Sequence, residues 1–543
     1  MLSDQIPTGP QAAAAQSPLF SLFERPAASA PFLILPDRVV TYGEVSKRAH
    51  HLAAGLHAAR LRRGDRIALM LPNTPEWLVI AAACWRLGVA VMALNVRLGT
   101  KELGDLVART ESKAIFYAPN HRDGACAEVI AQTDPAKLAS LRWLVACDGG
   151  TALSNVADAT PLSLAEIENS GQESPDQNAV ESGGPQDPCL FLATSGTTSA
   201  PKLVTHIQER VARHAQDCAR TIGFDDESKV LLAIPFCGGY GFTIAISTIA
   251  GGRPLVLMDN FDPAEAARLI KEHAVSHAMG TNDMLDKMLK ATDAEAPFPS
   301  LKFYGHANFT PGLTELPAEA ERRKVTMRGF YGLSETLAFV AAQSLNASLE
   351  RRAEGGGRLV CPDARFRIRD PETGRSLGPG EVGEIEINTP NMMIGYLNDP
   401  EKTRAAITSD GYLRTGDFGQ IADDGGFTFI SRMNDMLRIG GYLVSPVEIE
   451  DVIKATGNIE TCQVVSVETD KGVRPVAFVV PSGDGGIDEK MILQRCRAEL
   501  AVYKVPVAIF EIRDLPVVQG PNGVKVKKHE LRNIAKERLA AAR

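Results

Sequence analysis

The sequence contains no hydrophobic run long enough to cross a membrane. Its longest apolar stretch, residues 77–85, ends at Arg86, well short of the ~20 apolar residues that a membrane-spanning helix needs. The first residues carry an acidic group where a secretory signal would carry positive charge, and their alanines form no hydrophobic segment of that kind. We therefore expect neither a membrane span nor secretion, and only loose association with a membrane surface stays open.

Paired cysteines are also missing. The nine cysteines are scattered between Cys84 and Cys496, with no CxxC pair and no recurrent spacing. This distribution describes neither a zinc site nor a disulfide framework in a chain of this size. It is typical of a protein in a reducing compartment, so we predict a cytoplasmic location.

An excess of positive charge is absent as well. The chain of 543 residues has a formal net charge of -8, whereas a general nucleic-acid binder needs a positive surface to contact phosphates. Its 44% hydrophobic and 23% charged residues are close to ordinary globular composition, and its length is that of several domains. We predict a multidomain enzyme that binds no nucleic acid.

Helical and strand-like patterns alternate in the first part of the chain. Residues 41–61 repeat apolar positions at helical spacing, and residues 66–71 are typical of a buried strand. A second helical pattern at 77–88 precedes a second strand-like run at 89–95. This order predicts a covered, mostly parallel sheet. Residues 149–188 are rich in turn-forming and polar types, which predicts a surface connection.

The pattern changes twice after this connection. Strand and helix alternation resumes at residue 189, and residues 364–430 contain short strands with glycine-rich turns, which predict a β-rich subdomain. A small unit of helices and strands follows. We therefore predict an α/β protein whose large N-terminal domain, residues 1–431, combines α/β sheet subdomains with the β-rich subdomain. Residues 432–543 are predicted to form a small α+β domain.

The strongest local signal is the segment 194–202, TSGTTSAPK, which directly follows a strand-like run. Hydroxyls, a glycine and a lysine in one loop can surround phosphate oxygens with donors, and glycine lets the backbone approach closely. The segment is not a Walker loop, because Pro201 stands where the second glycine should be and no Ser or Thr follows Lys202. An ordinary polar turn is the alternative for the segment taken alone.

The loop is similar to the signature of the adenylate-forming superfamily of acyl-CoA synthetases, nonribosomal adenylation domains and luciferases. Four further segments follow in the family's order: YGLSE at 331–335, TGD at 415–417, SR at 431–432 and NGVK at 522–525. Weak motifs in a fixed order are together far more specific than any one of them. The resemblance spans about residues 20–535 and is closest in character to acyl- or aryl-CoA ligases.

The resemblance implies that a carboxylate attacks the α-phosphate of ATP, so that negative charge on phosphate oxygens must be neutralised. The implied catalytic residues are Lys525, Glu335 and Thr198. Glu335 is also the implied Mg²⁺ ligand, since magnesium prefers hard oxygen donors. Asp417 could accept both ribose hydroxyls, and Arg432 could reach ribose or phosphate oxygens. The residues implied to bind ATP, magnesium or coenzyme A are Thr194, Ser195, Gly196, Thr197, Thr198, Lys202, His306, Ala307, Tyr331, Gly332, Ser334, Glu335, Asp417, Arg432, Gly440, Gly441 and Lys525.

The register of the catalytic lysine departs from the family pattern. Relatives typically carry lysine directly after Thr-Gly, whereas Val524 precedes Lys525 here. Counting back from residues 530–532, which resemble the family's closing segment, puts Lys525 in register. Lys527 and Lys528 stay open as competitors.

Two further departures concern the nucleotide loop and the interdomain hinge. Ser199 stands where glycine is usual, which restricts the backbone angles of the loop. The implied hinge residue is Asn434, where Asp or Lys is usual, and Asn tolerates unusual backbone angles. Rotation of a mobile C-terminal domain about this hinge, as in the family, would admit a thiol past Gly440 and Gly441.

An uncharged acyl or aryl tail is the favoured substrate. Residues 235–242 contain no acidic residue, whereas an amino-acid activator would be expected to place one there. Gly238 stands where most relatives carry an aromatic or histidine gate, which implies a roomier or differently gated pocket. His306 is assigned no proton transfer, since a packed or solvent-facing histidine is the commoner role. The implied pocket residues are Phe236, Tyr240, Phe242, Met279, Asn282, Asn308 and Leu337.

The sequence thus predicts an ATP-dependent carboxylic acid:CoA ligase, with ATP, Mg²⁺ and coenzyme A as its cofactors and cosubstrates. A ligase that loads a carrier-protein phosphopantetheine is one alternative. A non-catalytic nucleotide-binding relative is another, motivated by the three departures at Ser199, Asn434 and Val524. The expected partners are a small-molecule carboxylic acid, ATP and CoA, and a homodimer is compatible with this interpretation.

Overall fold

A computed structural model describes most of the chain. It covers residues 18–121, 125–173, 183–194, 201–308, 313, 315–433, 437–439, 442–470, 472–483, 486–520 and 523–541, apart from the side chains of 438, 442, 443 and 518–525. Within these residues no helix has the length and apolar character that a membrane crossing requires. All nine cysteines lie in the described part and are free thiols.

The strands of the described residues are numbered in chain order. They are β1 (Pro31–Ile34), β2 (Val39–Thr41), β3 (Arg66–Met70), β4 (Ala90–Ala93), β5 (Ala114–Tyr117), β6 (Trp143–Ala146), β7 (Thr160–Ser163), β8 (Pro188–Ala193), β9 (Leu203–Ile207), β10 (Val230–Leu232), β11 (Leu255–Leu257), β12 (His277–Thr281), β13 (Phe303–Ala307), β14 (Met327–Tyr331), β15 (Ala341–Ala342), β16 (Gly356–Leu359), β17 (Arg365–Arg369), β18 (Gly383–Asn388), β19 (Gly395–Tyr396), β20 (Leu413–Ile421), β21 (Phe427–Arg432), β22 (Leu437–Ile439), β23 (Tyr442–Val444), β24 (Ile459–Thr469), β25 (Gly472–Pro481), β26 (Ala508–Glu511), β27 (Val517–Gly520) and β28 (Gly523–Val526).

The helices of the same residues are numbered likewise. They are α1 (Tyr42–Ala58), α2 (Pro75–Leu87), α3 (Thr100–Thr110), α4 (Ala125–Gln132), α5 (Leu164–Gln172), α6 (Gln208–Ile222), α7 (Gly239–Ala250), α8 (Pro263–Glu272), α9 (Asn282–Lys290), α10 (Leu316–Arg322), α11 (Leu349–Ala353), α12 (Pro400–Ala406), α13 (Pro446–Lys454), α14 (Glu489–Glu499) and α15 (Lys528–Ala541), with short 3-10 helices at Leu19–Phe23, Pro135–Leu138, Ser334–Thr336 and Val502–Lys504.

The first large sheet confirms the predicted parallel arrangement. Its strand order is β19-β9-β8-β4-β3-β5-β6-β7. The pairs from β8 through β7 are parallel, whereas β9 and β19 add two antiparallel strands at one edge. This edge carries the predicted phosphate loop, since that loop connects β8 to β9.

The second large sheet joins a parallel half to the predicted β-rich subdomain. Its order is β17-β18-β20-β21-β16-β15-β14-β13-β12-β10-β11-β1-β2. The run from β14 to β1 is parallel, and the run from β14 to β17 is antiparallel. The predicted β-rich subdomain therefore continues the α/β sheet through its backbone hydrogen bonds.

Two apolar helices form a contact between the helical layers of the two sheets. Every residue of α2 except Glu76 and Arg86 is buried, and so is nearly all of α7, as expected of helices that are apolar on all sides. The ring of Phe242 in α7 lies 6.1 Å from both Trp77 and Trp85 in α2. This packing fixes the segment before α7 relative to the first sheet.

The predicted surface connection at 149–188 is wrong for part of its length. Residues 160–172 form β7 and α5, because Ser163 and Glu166 close a capping box that starts the helix. A Cβ on Gly171 would lie 1.8 Å from the carbonyl oxygen of His51, so the glycine lets α5 pack closely against α1. Residues 174–182 lie outside the described residues.

The C-terminal residues form small separate sheets. The antiparallel pair β24–β25 extends into a parallel contact with β26, and two hairpins pair β22 with β23 and β27 with β28. A mixed α/β protein with a large N-terminal part and a small C-terminal domain confirms the predicted fold class. The predicted boundary between 431 and 432 falls at the last residue of β21, and as a domain boundary it stays a prediction.

Candidate active site

The predicted phosphate loop is closed at its base by backbone and side-chain contacts. The Thr194 N–H donates to the carbonyl oxygen of Lys202 at 2.9 Å, and the Thr194 hydroxyl reaches the same oxygen at 3.5 Å. The two ends of the loop are therefore held together at the edge of the first sheet. Outside the described residues lie the loop positions Ser195, Gly196, Thr197, Thr198 and Ser199.

The Lys202 side chain reaches the predicted metal ligand through a tyrosine. The Lys202 ammonium donates to the hydroxyl of Tyr396 at 3.0 Å, and the ammonium nitrogen lies 4.5 Å from the tyrosine ring centroid. The same hydroxyl donates to Oε1 of Glu335 at 2.8 Å. A lysine directly before β9, a tyrosine from β19 and a glutamate from the 3-10 helix after β14 thus form one connected group.

A tight turn after β14 places Glu335 in this group. A Cβ on Gly332 would lie 1.9 Å from the carbonyl oxygen of Ala338, so only glycine allows the chain to fold back this closely. The turn continues into the 3-10 helix Ser334–Thr336. The carbonyl oxygen of Glu335 accepts a hydrogen bond from the Met393 N–H at 2.8 Å, which ties the turn to the segment that precedes β19.

The donor set around Glu335 fits a magnesium ion bound together with a nucleotide. Among the described residues, Oε1 accepts the Tyr396 hydroxyl and Oε2 has no hydrogen-bond partner, although the side chain is buried. The same residues contain no group of three or more His, Cys, Asp or Glu that could form a complete metal cage. Magnesium commonly binds one or two carboxylates, with water and substrate phosphates completing its shell, so a lone carboxylate suffices.

The predicted ribose-binding pair is formed by strand register. Asp417 in β20 stands opposite Arg432 in β21, and the Arg432 guanidinium lies 3.3 Å from Oδ1 of Asp417. Oδ2 accepts the hydroxyl of Tyr331 at 2.7 Å. Because Tyr331 ends β14 just before the turn that carries Glu335, the two predicted ligand groups flank one turn.

His306 and Ala307, two of the predicted binding residues, end strand β13. His306 is buried in β13, where its Nδ1 lies 2.9 Å from Oδ1 of Asn308 and its Nε2 lies 3.3 Å from the carbonyl oxygen of Arg352. Burial lowers the pKa of His306 to about 4, so the ring is neutral near pH 7. Its contacts hold the backbone, and Ala307 beside it is half-buried.

Four of the seven predicted acyl-pocket residues form two pairs in the structure, and the roles of all seven stay predictions. Tyr240 and Met279 converge on Gly305: the Tyr240 hydroxyl donates to the Gly305 carbonyl oxygen at 3.2 Å, and a Cβ on Gly305 would meet the Met279 side chain at 3.0 Å. Phe236 and Phe242 instead pack against the tryptophans of α2. Phe242 therefore lies in the core between the helical layers.

The remaining predicted pocket residues lie near the ends of strands in the second sheet. Asn282 begins α9 directly after β12 and is buried. Asn308 is exposed and donates through Nδ2 to the carbonyl oxygen of Ala353 at 2.9 Å. Leu337 is fully buried in a left-handed backbone conformation with φ 57°, and its carbonyl oxygen accepts the Thr243 hydroxyl at 2.5 Å.

The structure describes no side chain for four predicted residues of the C-terminal part. Lys525 lies in β28 with Val518 of β27 opposite it, and its side chain lies outside what the structure describes. The same holds for the whole of Asn434, Gly440 and Gly441. The roles of all four residues stay predictions.

Two site residues escaped the sequence analysis. Tyr396 follows a glycine in a turn-rich segment, and no spacing or motif marked it. His206 lies in the fully buried strand β9, and an ionisable residue in that strand was the only available signal. Its Nε2 donates to the carbonyl oxygen of Ser334 at 2.8 Å, and burial lowers its pKa to about 4, so a neutral ring supports the turn before Glu335.

The arrangement supplies a cation and a hard carboxylate on one side of the turn and a ribose-type acceptor on the other. An ammonium group and a carboxylate that share one hydroxyl as hydrogen-bond partner suit a polyphosphate with a bound metal ion. A buried carboxylate that is oriented by a tyrosine and an arginine suits a pair of sugar hydroxyls. The site therefore has the chemistry of a nucleoside triphosphate site.

Two family models match this chain. The model described as AMP-binding enzyme matches residues 23–397. The model described as AMP-binding enzyme C-terminal domain matches residues 448–520. Together they include every described site residue discussed above except Asp417, Arg432 and Lys525.

Relatives match over nearly their whole length. A feruloyl-CoA synthase of Amycolatopsis is 29% identical over 505 residues, which cover 91% of this chain and 93% of the relative. A long-chain fatty acid CoA ligase of Mycobacterium tuberculosis is 29% identical over 504 residues, again 91% and 93%. An O-succinylbenzoate coenzyme A synthetase of Bacillus subtilis, solved with ATP and a magnesium ion, has a TM-score of 0.79 at 22% identity and covers 95% of this chain and 99% of that one.

Proposed function

The chain belongs to the AMP-binding enzyme family, and on that basis we propose that it is an ATP-dependent carboxylic acid:CoA ligase. The enzyme converts the acid and ATP to an acyl-adenylate and pyrophosphate, and then transfers the acyl group to the thiol of CoA. The two curated relatives named above are called a CoA synthase and a CoA ligase.

One observation supports the proposal above all others. Lys202, Glu335 and Asp417 come from segments up to 215 residues apart, yet each is held at the same turn after β14 through Tyr396 or Tyr331. A solvated surface charge has no need of such partners, and buried carboxylates are costly unless they are paired. Their convergence fits one bound nucleotide.

The described residues have distinct tasks in adenylation. Lys202 places its ammonium against phosphate oxygens, and Asp417 and Arg432 hold the ribose and the neighbouring phosphate. We assign Lys525 to the developing charge between the carboxylate and the α-phosphate, and Thr198 to the leaving phosphates. These two assignments rest on the family resemblance.

Glu335 is the residue that would hold magnesium. When bound, the ion neutralises charge on the phosphate oxygens of the nucleotide. The chain itself contributes the carboxylate, its orientation by the Tyr396 hydroxyl, and burial that keeps bulk water away from the group.

The proposed substrate is an acid with an uncharged acyl or aryl tail. The side chains of Phe236, Tyr240, Met279 and Leu337 are buried and carry no charge, and apolar walls with few polar groups are typical of small-molecule pockets. The names of the relatives cover both an aromatic and a long-chain aliphatic acid. We also propose a cytoplasmic location, which the nine free thiols support.

A release assay tests the activity and the acceptor together. Purified protein is incubated with ATP, Mg²⁺ and a panel of short, medium, long and aromatic acids, and pyrophosphate is measured. The best acid is then offered either CoA or a phosphopantetheinylated carrier protein, and the thioester is identified by mass spectrometry. We expect acid-dependent pyrophosphate release and a CoA thioester.

Two results would contradict this proposal in different ways. A thioester found on the carrier protein alone would replace CoA as acceptor while keeping the adenylation step. Nucleotide binding without pyrophosphate release for any acid would favour a non-catalytic relative. An Asp417→Asn variant serves as a matched control, since loss of the ribose acceptor should raise the ATP KM at least about tenfold, as expected for a charged hydrogen bond.

A further inference from the structure

A single tyrosine hydroxyl lies between Lys202 and Glu335, the two charged groups that the proposed function assigns to the phosphates and to magnesium. Lys202 donates to the oxygen of Tyr396 at 3.0 Å, and Tyr396 donates its only hydroxyl hydrogen to Glu335 at 2.8 Å. No direct ion pair joins the lysine and the glutamate in the described part of the chain, although both side chains contact the same hydroxyl.

The chemistry of the three side chains fixes which group donates and which accepts in these two hydrogen bonds. A tyrosine hydroxyl has one hydrogen to donate, and its oxygen can also accept a hydrogen bond. A lysine ammonium can only donate and an ionised carboxylate can only accept. The hydroxyl is therefore an acceptor toward Lys202 and a donor toward Glu335, and neither neighbour can exchange roles.

The backbone around Tyr396 is held firmly in place. The Tyr396 N–H donates to the hydroxyl of Thr403 at 2.9 Å. Upstream, the Arg210 guanidinium in α6 donates to the carbonyl oxygens of Met392 and Met393 at 2.8 and 3.1 Å. Tyr396 as a whole residue is 6% exposed. These contacts hold the Tyr396 hydroxyl in place between the first sheet and the turn after β14.

We propose that Tyr396 is a positioning residue that keeps Lys202 from pairing directly with Glu335. This inference rests on the proposed function, because it assigns the lysine to phosphate and the carboxylate to magnesium. Opposite charges about 4 Å apart attract strongly where water is limited. Without the hydroxyl, the ammonium would move onto the carboxylate, and magnesium would have to displace it.

The test measures magnesium dependence without any reaction. ATP binding to the full chain is followed by calorimetry at increasing Mg²⁺, with neither acid nor CoA present. Tyr396→Phe keeps the ring and removes only the hydroxyl. We expect this variant to need about tenfold more Mg²⁺ for half-maximal tightening of ATP binding, which corresponds to about 1.4 kcal/mol, while its melting temperature stays within a few degrees.

The matched control is Tyr42→Phe. Tyr42 is also buried and its hydroxyl donates to the carbonyl oxygen of Arg253 at 3.0 Å, but it contacts no charged group of the site. This variant should keep the wild-type magnesium midpoint. A shift as large as that of Tyr396→Phe would mean that any lost tyrosine hydroxyl has the effect, and it would overturn the proposal.

A double-substitution cycle asks whether Tyr396 acts through Glu335. In a Glu335→Gln background there is no carboxylate for the lysine to pair with, so adding Tyr396→Phe should change the magnesium midpoint less than twofold. An unchanged midpoint in the single variant, or an equal shift in both backgrounds, overturns the proposal.

A variant of the lysine tests the same idea without altering Tyr396. Lys202→Met should weaken ATP binding several-fold yet leave the magnesium midpoint within twofold, because the tyrosine already holds the lysine off the carboxylate. A large change of midpoint in this variant contradicts the proposal. Failure of the proposed function would be seen separately, as a lack of acid-dependent pyrophosphate release by the unsubstituted protein.

Discussion

Two tyrosines orient the two carboxylates of the candidate site. Tyr331 donates to Asp417 and Tyr396 donates to Glu335, at 2.7 and 2.8 Å. Both carboxylates are buried, where a negative group needs hydrogen-bond donors to offset its lost hydration. The position of each charge therefore depends on a neutral neighbour as well as on its own backbone.

Replacement of Tyr331 should impair ribose binding. Tyr331→Phe removes the hydroxyl that orients Asp417, so we expect the ATP KM in the pyrophosphate assay to rise about fivefold to tenfold with a smaller change in kcat, in keeping with about 1 kcal/mol for one hydrogen bond. Tyr42→Phe should leave the ATP KM unchanged. Equal KM values for the two variants would contradict the role of Tyr331.

The sequence identified the charged site residues but not their neutral supports. Lys202, Glu335 and Asp417 each lie in a motif whose residue types have a chemical reason to occur together. Tyr396 lies outside those motifs, and its role arises from the pairing of β19 with β9. Such contacts depend on strands that are far apart in sequence, so local patterns carry no record of them.

At the scale of elements, the turn after β14 is the most demanding piece of backbone near the site. It combines the close approach of Gly332 to Ala338 with left-handed conformations at Leu337 and Ala338, whose φ values are 57° and 59°. Residues other than glycine adopt this region at some energetic cost. Hydrogen bonds from His206 and Met393 offset that cost.

A methyl group at Gly332 should disrupt this turn. Gly332→Ala places a Cβ against a backbone oxygen, and we expect a loss of about 3 kcal/mol or more in the free energy of unfolding together with weaker Mg²⁺-dependent ATP binding. Gly223→Ala is the matched control, because Gly223 has φ 80° at the end of α6 with open space around it. It should cost only about 1 kcal/mol, as measured by urea denaturation, and leave ATP binding intact. A similar loss in both variants would rule out the steric explanation.

Apolar periodicity predicted the helices and strands of apolar segments, but it missed those in a segment of polar composition. The helix at 41–61 and the strand at 66–71 appear as α1 and β3, because their apolar spacing reflects burial. The segment at 149–188 was misjudged because its polar composition hid β7 and α5. Those elements are stabilised by a capping box and by close backbone packing through Gly171, neither of which requires many large apolar residues.

On the scale of the whole molecule, several histidines are buried as neutral rings. Burial lowers the pKa of His206, His277 and His306 to about 4 each, and that of His214 to about 3. These values lie below the ordinary value of 6.5. The unfolded chain therefore binds more protons than the folded chain between about pH 6.5 and 4, so acid favours unfolding.

Stability should accordingly fall as the pH drops below about 6.5. Each such histidine contributes up to about 1.4 kcal/mol per pH unit, so we expect a loss of several kcal/mol between pH 7 and pH 5.5, measured by urea denaturation. His277→Asn, which removes a ring packed against Phe224 and Phe303, should give a shallower pH dependence than the wild type. A stability that is flat over this range would contradict the burial argument.

The sequence by itself determined the fold class and the family and predicted the charged residues of the candidate site, because these depend on apolar periodicity and on residue types fixed within short segments. Only the tertiary structure decided that a tyrosine stands between Lys202 and Glu335, that Phe242 lies in the core, and that residues 160–172 join the first sheet and its helices. The physical reason is that hydrogen bonds and packing between distant strands and helices depend on their positions in space, which no local pattern encodes.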